Sequence, residues 1–231
     1  MHYKLVIAFV VIFSLAGVQI IRADETVNIG GSTAILLRPA APHASVILLP
    51  GGDGHIAAGP NGTIGRLKAN QLVRTRANYR AHGLAVLIVD ANTSLAAAVD
   101  FMARIKRPVT VIATSRGTLR AAHGIANGAK PDALVLTSGF LTDSSGSRDN
   151  VANILGSPNA LPRTLVIAHR KDSCRRTLPA GVEPFIRWSH GKAIAKWLDG
   201  GVNSGDPCEA RSYHGFNGLD GAVVSIAASF H

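Results

Sequence analysis

The sequence predicts an α/β fold, with a mostly parallel sheet covered by helices on both faces. Runs that are apolar throughout recur at residues 45–49, 84–89, 109–114, 133–137 and 164–168. Segments with helical spacing and turn signals alternate with them. Strands without polar alternation are buried on both sides, which is what helices packed on both faces of a parallel sheet produce. Ligands of such sheets bind beyond the carboxyl ends of the strands, so residues just after each run are the functional candidates.

The chain has 231 residues, 47% of them hydrophobic, enough for one α/β domain with its own core. Residues 1–23 read as a secretory signal peptide, leaving residues 24–231 as a single domain. Lys4 supplies the positive start, residues 5–21 are almost wholly apolar, and Ala23 suits the cleavage position. A retained N-terminal anchor is the alternative, because the apolar run is long and Ile21 is large for its place. Either way the protein is expected to be exported, to a periplasmic or extracellular location.

In chain order, Gly30-Gly31 marks a hairpin between two short apolar runs. The strand at 45–49 is broken by Pro50-Gly51-Gly52-Asp53-Gly54. Residues 64–81 carry helical spacing through Ile64, Leu67, Leu72 and Tyr79, and His82-Gly83 ends them. After the strand at 84–89, a helix over 94–107 is capped by Thr93 or Ser94 and stopped by Pro108. The strand at 109–114 leads into a helix over 116–127, with Gly128 as its stop. Beyond the strands at 133–137 and 164–168, the pattern predicts a brief helix at 192–198, a last strand at 209–213 and a closing helix at 222–230.

The stretch around Ser115 is the centre of the chain. A β-branched run (Val109, Val111, Ile112) ends in a serine flanked by small residues at both two-residue offsets, Ala113 and Gly117. A serine on a sharp strand-to-helix turn has strained backbone angles and tolerates only small neighbours. The turn exposes its hydroxyl at a helix N-terminus, where backbone N–H groups and the helix dipole favour negative charge. The usual pattern is Gly-x-Ser-x-Gly, with Ala113 here in the first glycine position. A serine that merely caps a helix is the plainer reading of the stretch taken alone.

Two further strand ends complete the chemistry. Asp172 follows the run at 164–168, and His214 follows the strand expected at 209–213, just before Gly215. A neutral imidazole can take the serine proton, and a carboxylate fixes its tautomer and stabilises the imidazolium. Asp143, beyond the strand ending at Thr137, is the rival acid. An oxyanion site needs two N–H groups. One is expected from Arg116, the other from the glycine-rich turn, with Gly52 as donor and Asp53 as the second choice. A phosphate-binding reading of that turn lacks the Gly-Lys-Ser/Thr and dinucleotide patterns.

The two cysteines, Cys174 and Cys208, favour a disulfide in an oxidising compartment. A bridge there would tie the loop of Asp172 to the loop of His214. Neither cysteine lies in a metal-ligand spacing, and neither a metal nor an organic cofactor is expected. Without Lys4 and Arg22, 22 basic residues face 14 acidic ones, a net charge of +8. The basic residues are scattered and aromatic residues make up only 5%, which argues against nucleic acid. Adsorption to anionic envelope polymers or lipid surfaces fits the charge better.

The chain resembles the α/β-hydrolase superfamily over nearly all of its length after residue 23. Within it, the chain is most similar to small exported bacterial hydrolases with Thr-Ser-Arg-Gly-Thr at the serine turn and Asp-Pro-Cys-Glu-Ala…Tyr-His-Gly-Phe near the end. Those strings stand here at residues 114–118, 206–210 and 213–216. The resemblance implies a serine hydrolase with Ser115, Asp172 and His214 as its triad and with the cysteines paired. The interval from 138 to 163 is too short for a multi-helix cap, so an open site is expected, suited to small acyl esters or ester groups on a polymer. Arg116 and Arg74 are candidates for favouring an anionic substrate. The same triad supports amide or thioester cleavage. A non-catalytic envelope binding module is the alternative of another class, though such a module has no need for all three residues.

Overall fold

The computed structural model describes residues 23–231; the expected signal peptide lies, but for Ala23, outside the described residues. The chain opens with strands β1 (Glu25–Ile29), β2 (Ser32–Leu37) and β3 (Ala44–Leu49), then helix α1 (Gln71–Ala81) and strand β4 (Leu84–Val89). Helix α2 (Leu95–Ile105), strand β5 (Val109–Thr114), helix α3 (Gly117–Ala126) and strand β6 (Ala133–Thr137) follow. Helix α4 (Val151–Leu155), strand β7 (Arg163–His169), helix α5 (Val182–Trp188), strand β8 (Ala193–Leu198) and helix α6 (Asp220–Ala228) complete it.

The eight strands form one sheet in the order β1-β2-β4-β3-β5-β6-β7-β8. β1, β2 and β4 pair antiparallel, and every pair from β4 to β8 is parallel. β3, β4, β5 and β6 are buried at every position, as strands covered on both faces must be. Their side chains alternate between two cores. Ile47, Leu49, Val111 and Leu134 pack under α2, α3, α4 and α5, while Val46, Leu48, Ile112 and Val135 pack under α1 and α6. The order reverses between β4-β3 and β3-β5, which opens a crevice at the carboxyl ends of β3 and β5.

Three expectations need correction. The helix expected over 64–81 starts only at Gln71, where the Asn70 side chain accepts the Leu72 N–H at 3.1 Å. Ahead of it, Leu67 has φ +54°, Ala58 bridges Ile64, and the Gly65 and Arg66 N–H groups are given to Ile56 O. Ile64 and Leu67 thus serve a loop, while Leu72 and Tyr79 lie on α1. Residues 193–198 form β8, an edge strand paired in parallel with β7 from Thr164↔Ala193 to His169↔Leu198, in place of the expected helix. Six residues hold fewer than two helical turns, and free β7 hydrogen-bonding groups decide the outcome. Residues 209–213 form no strand: Glu209 N bonds Asp206 O, Ser212 N bonds Glu209 O, and His214 sits in a single 3₁₀ turn, Tyr213–Gly215.

Among the described residues no helix is long and apolar enough to cross a membrane. The segment between β6 and β7 contains α4, which packs against α3. Among the described residues no multi-helix cap stands over the crevice.

Candidate active site

β5 ends at Thr114, and the next residue, Ser115, has φ +52°, a left-handed conformation rare for a residue with a side chain. The surroundings enforce it. Ser115 N donates to Thr137 O at 3.0 Å, and Thr118 closes the turn from within the helix, its N and Oγ1 both donating to Ser115 O. A Cβ on Gly117 would collide with Leu49 O, and one on Gly51 would stand 2.9 Å from Ser115 Cβ. Ala113, in the usual glycine position, is fully buried in the strand and paired with Leu49 and Leu136, so its methyl is packed without displacing the turn.

His214 reaches Ser115 from the loop after β8, with Nε2 3.0 Å from Ser115 Oγ. Its Nδ1 lies 3.0 Å from Asp172 Oδ2, and the two side chains are only 5% and 2% exposed. Asp172 Oδ1 accepts the Cys174 N–H at 2.9 Å, which fixes the carboxylate plane. Nδ1 therefore carries the proton toward Asp172, and Nε2 is left to accept from Ser115 Oγ. Asp143, the rival acid, accepts from Asn150 Nδ2 and Asn153 Nδ2 in the segment before β7 and makes no contact with His214.

The sequence reading missed the residues that hold His214. Thr177 Oγ1 lies 3.0 Å from His214 Nδ1 and 3.5 Å from Asp172 Oδ2, bracing both. Ser138 Oγ donates to His214 O at 2.7 Å, and Ser212 Oγ accepts the His214 N–H at 3.2 Å. Ser138 directly follows β6, and the strand-end rule would have pointed to it. Thr177 carries no such signal. Tyr213 stacks on buried His169, the last residue of β7, with ring centroids 4.4 Å apart. The Cys174–Cys208 disulfide joins the two loops, with Cα atoms 4.6 Å apart.

Arg74 has a different role from the one expected. Its guanidinium forms a forked pair with Asp220 at 2.7–3.1 Å and donates to Ala69 O, Ala210 O and Gly215 O. With its donors spent on α6 and on the carbonyls flanking His214, it clamps the histidine loop and is not free for an anionic substrate. The Arg116 side chain is exposed.

A cavity of about 300 Å³ opens over Ser115 and His214, walled by Gly52, Leu67, Cys208 and Ala210. The N–H groups of Gly52 and Arg116 have no protein acceptor among the described residues. Gly52 has φ +62°, which suits a glycine, and its neighbour Asp53 turns outward to accept from His55 N and Arg66. Among the described residues no three His, Cys, Asp or Glu side chains gather as a metal site.

An acid-histidine-serine chain of contacts at the carboxyl ends of β5 and β7, beside the sheet's reversal point, decides the architecture. The chain has the α/β-hydrolase fold. No protein-family model and no curated protein matches it. Among solved structures, the chain is similar to TT1662 from Thermus thermophilus, with 15% identity, 91% of this chain and 99% of that chain covered, and a TM-score of 0.59. It is similar to the esterase domain of a Rhodothermus marinus protein, with 15% identity, 90% and 98% covered, and a TM-score of 0.58. It is also similar to the Pyrococcus furiosus esterase Pf2001, with 16% identity, 78% and 82% covered, and a TM-score of 0.55. At such identities the likeness is one of fold.

Proposed function

We propose that the protein is an exported serine hydrolase that cleaves carboxylic esters through an acyl-serine intermediate. The observation that carries the reading is the continuous chain Ser115 Oγ–His214 Nε2 and His214 Nδ1–Asp172 Oδ2, each link 3.0 Å long. His214 takes the Ser115 proton as Oγ attacks the ester carbonyl carbon. The negative oxygen of the tetrahedral intermediate accepts hydrogen bonds from the Arg116 and Gly52 N–H groups. Collapse breaks the ester C–O bond, and His214 returns the proton to the leaving alkoxide. Water then gives a proton to His214 and attacks the acyl carbon; the acyl C–Oγ bond breaks, His214 returns the proton to Ser115 Oγ, and the carboxylic acid is released.

Ester cleavage is favoured over amide or thioester cleavage because several neighbours in fold are named esterases. The open cavity of about 300 Å³ fits a short acyl group, either of a small ester or of an ester borne on a polymer. Export rests on the apolar run at residues 5–21 and on the disulfide, which persists in oxidising compartments. The excess of basic residues supports adsorption to an anionic envelope surface.

Labelling with a serine-reactive fluorophosphonate, alongside turnover of chromogenic esters of graded chain length, tests the reading. Wild type is expected to label and to hydrolyse the short esters; Ser115→Ala is expected to do neither. A folded wild type that neither labels nor turns over any ester would point to the non-catalytic binding module.

A further inference from the structure

The turn at residues 50–54 contains three glycines, and inside it the sole backbone hydrogen bond is Gly54 N to Gly51 O at 3.2 Å. A glycine-rich turn is the least rigid kind of backbone, yet an oxyanion donor must be held within a few tenths of an ångström. The stiffening comes from outside. Arg120, five residues beyond Ser115 on α3, donates from Nη2 to Pro50 O. Its guanidinium occupies the place a side chain at Gly54 would take: a Cβ there would collide with Cζ and Nη1 and stand 2.7 Å from Nη2.

Arg120 is otherwise a costly residue. Among the described residues no carboxylate lies within ion-pair distance of it, and its buried Nε has no hydrogen-bond partner. Burial pushes its pKa below the usual arginine range, opposed only by the more distant Asp90 and Asp53. Part of the side chain also lines a second cavity, beside Leu95 and His123. What arginine adds at position 120 is the bond to Pro50 O and the planar surface against Gly54.

We propose that Arg120 is a positioning residue for the reaction, holding the turn at residues 50–54 so that the Gly52 N–H points at the reacting oxygen. The inference rests on the esterase reading and adds how half of its oxyanion site is kept in place. Arg116 N stands at the start of α3 and Gly52 is tied to the same helix through Arg120, so both donors are referenced to one rigid element.

The experiment compares wild type, Arg120→Met and Arg120→Lys on a short uncharged ester. It measures kcat and KM separately, together with affinity for a trifluoromethyl ketone, whose adduct with Ser115 places an oxyanion in the site. Arg120→Met is expected to lose about 10- to 100-fold in kcat, less than outright removal of a donor costs. KM is expected to change by less than about threefold, and analogue affinity to fall in parallel with kcat/KM. Arg120→Lys, which keeps a cationic donor on that side chain, is expected to recover part of the loss.

Wild-type kcat in folded Arg120→Met overturns the proposal. So does a loss confined to KM, or a loss of kcat with analogue affinity intact. Should Arg120→Met fail to fold, Gly54→Ala, which presses on the guanidinium from the turn side, is expected to show the same signature, and its retention of wild-type kcat overturns the proposal equally. An active Ser115→Ala would instead sink the esterase reading itself, whereas an inactive Ser115→Ala beside a fully active Arg120→Met sinks only this inference.

Discussion

Asp172→Asn removes one charge and almost no volume, so its effect can be worked out atom by atom. The amide can keep its oxygen toward Cys174 N, which Asp172 Oδ1 now accepts at 2.9 Å. Its NH₂ then replaces Oδ2, 3.0 Å from His214 Nδ1. Two donors cannot face each other, so Nδ1 must become the acceptor and the imidazole proton moves to Nε2, opposite Ser115 Oγ. In that tautomer His214 cannot take the serine proton. The expected loss in kcat is about 10⁴-fold, or roughly 5.4 kcal/mol of barrier. Steady-state hydrolysis of a chromogenic short-chain ester measures it, and thermal unfolding checks that the variant is folded. A folded Asp172→Asn within about tenfold of wild type would refute the tautomer argument. A large loss in Asp143→Asn instead would move the acid to the segment before β7.

Three other outcomes follow from the same structure. Cys174 and Cys208 are 34 residues apart, and closing a loop of that size removes roughly 4 kcal/mol of unfolded-chain freedom in the chain-entropy account. The Cys174→Ser/Cys208→Ser variant should lose about 2–4 kcal/mol in denaturant titration, and a loss below about 1 kcal/mol contradicts this. Burial pushes the Tyr79 phenol well above its usual pKa, while the Gln71 amide, which opposes this, stays beyond hydrogen-bond reach. The folded state therefore holds this proton more tightly than the unfolded chain, and stability is expected to fall as pH rises above about 10. Tyr79→Phe should be as stable as wild type at neutral pH and should weaken that alkaline decline; a decline of equal depth would contradict it. Finally, His214→Ala, which takes away the acceptor 3.0 Å from Ser115 Oγ, should lose about 10⁴-fold or more in kcat while remaining folded. A folded variant within about tenfold of wild type would exclude a histidine base from the rate-limiting chemistry.

The parallel sheet was legible because strands such as β4 and β5 must be apolar at every position, and that signal needs no knowledge of the neighbours. Ser115 and Asp172 stand just after β5 and β7, where the strand-end rule looks, whereas His214 was singled out by a strand that does not form; the structure still brings the three side chains together. What escaped depends on tertiary pairing. β8 has Lys196 and exposed Ile194 and becomes a strand only because β7 offers it an edge. Residues 209–213 spend their hydrogen bonds on local turns, and His214 is delivered by a loop clamped through Arg74, Ser138 and the disulfide. Arg74 looked free in sequence because Asp220 lies 146 positions away. Thr177 looked ordinary because only the folded loop turns its hydroxyl to His214.

The central claim is that Ser115 becomes acylated during turnover. Acid quenching within the first turnovers of a chromogenic ester, followed by intact-mass and peptide mass spectrometry, tests it directly. The account predicts one acyl increment per chain, mapped to the peptide containing Ser115, appearing with a burst of leaving group and absent from Ser115→Ala. Sustained ester hydrolysis with no covalent adduct, or an adduct carried by another residue, would contradict it.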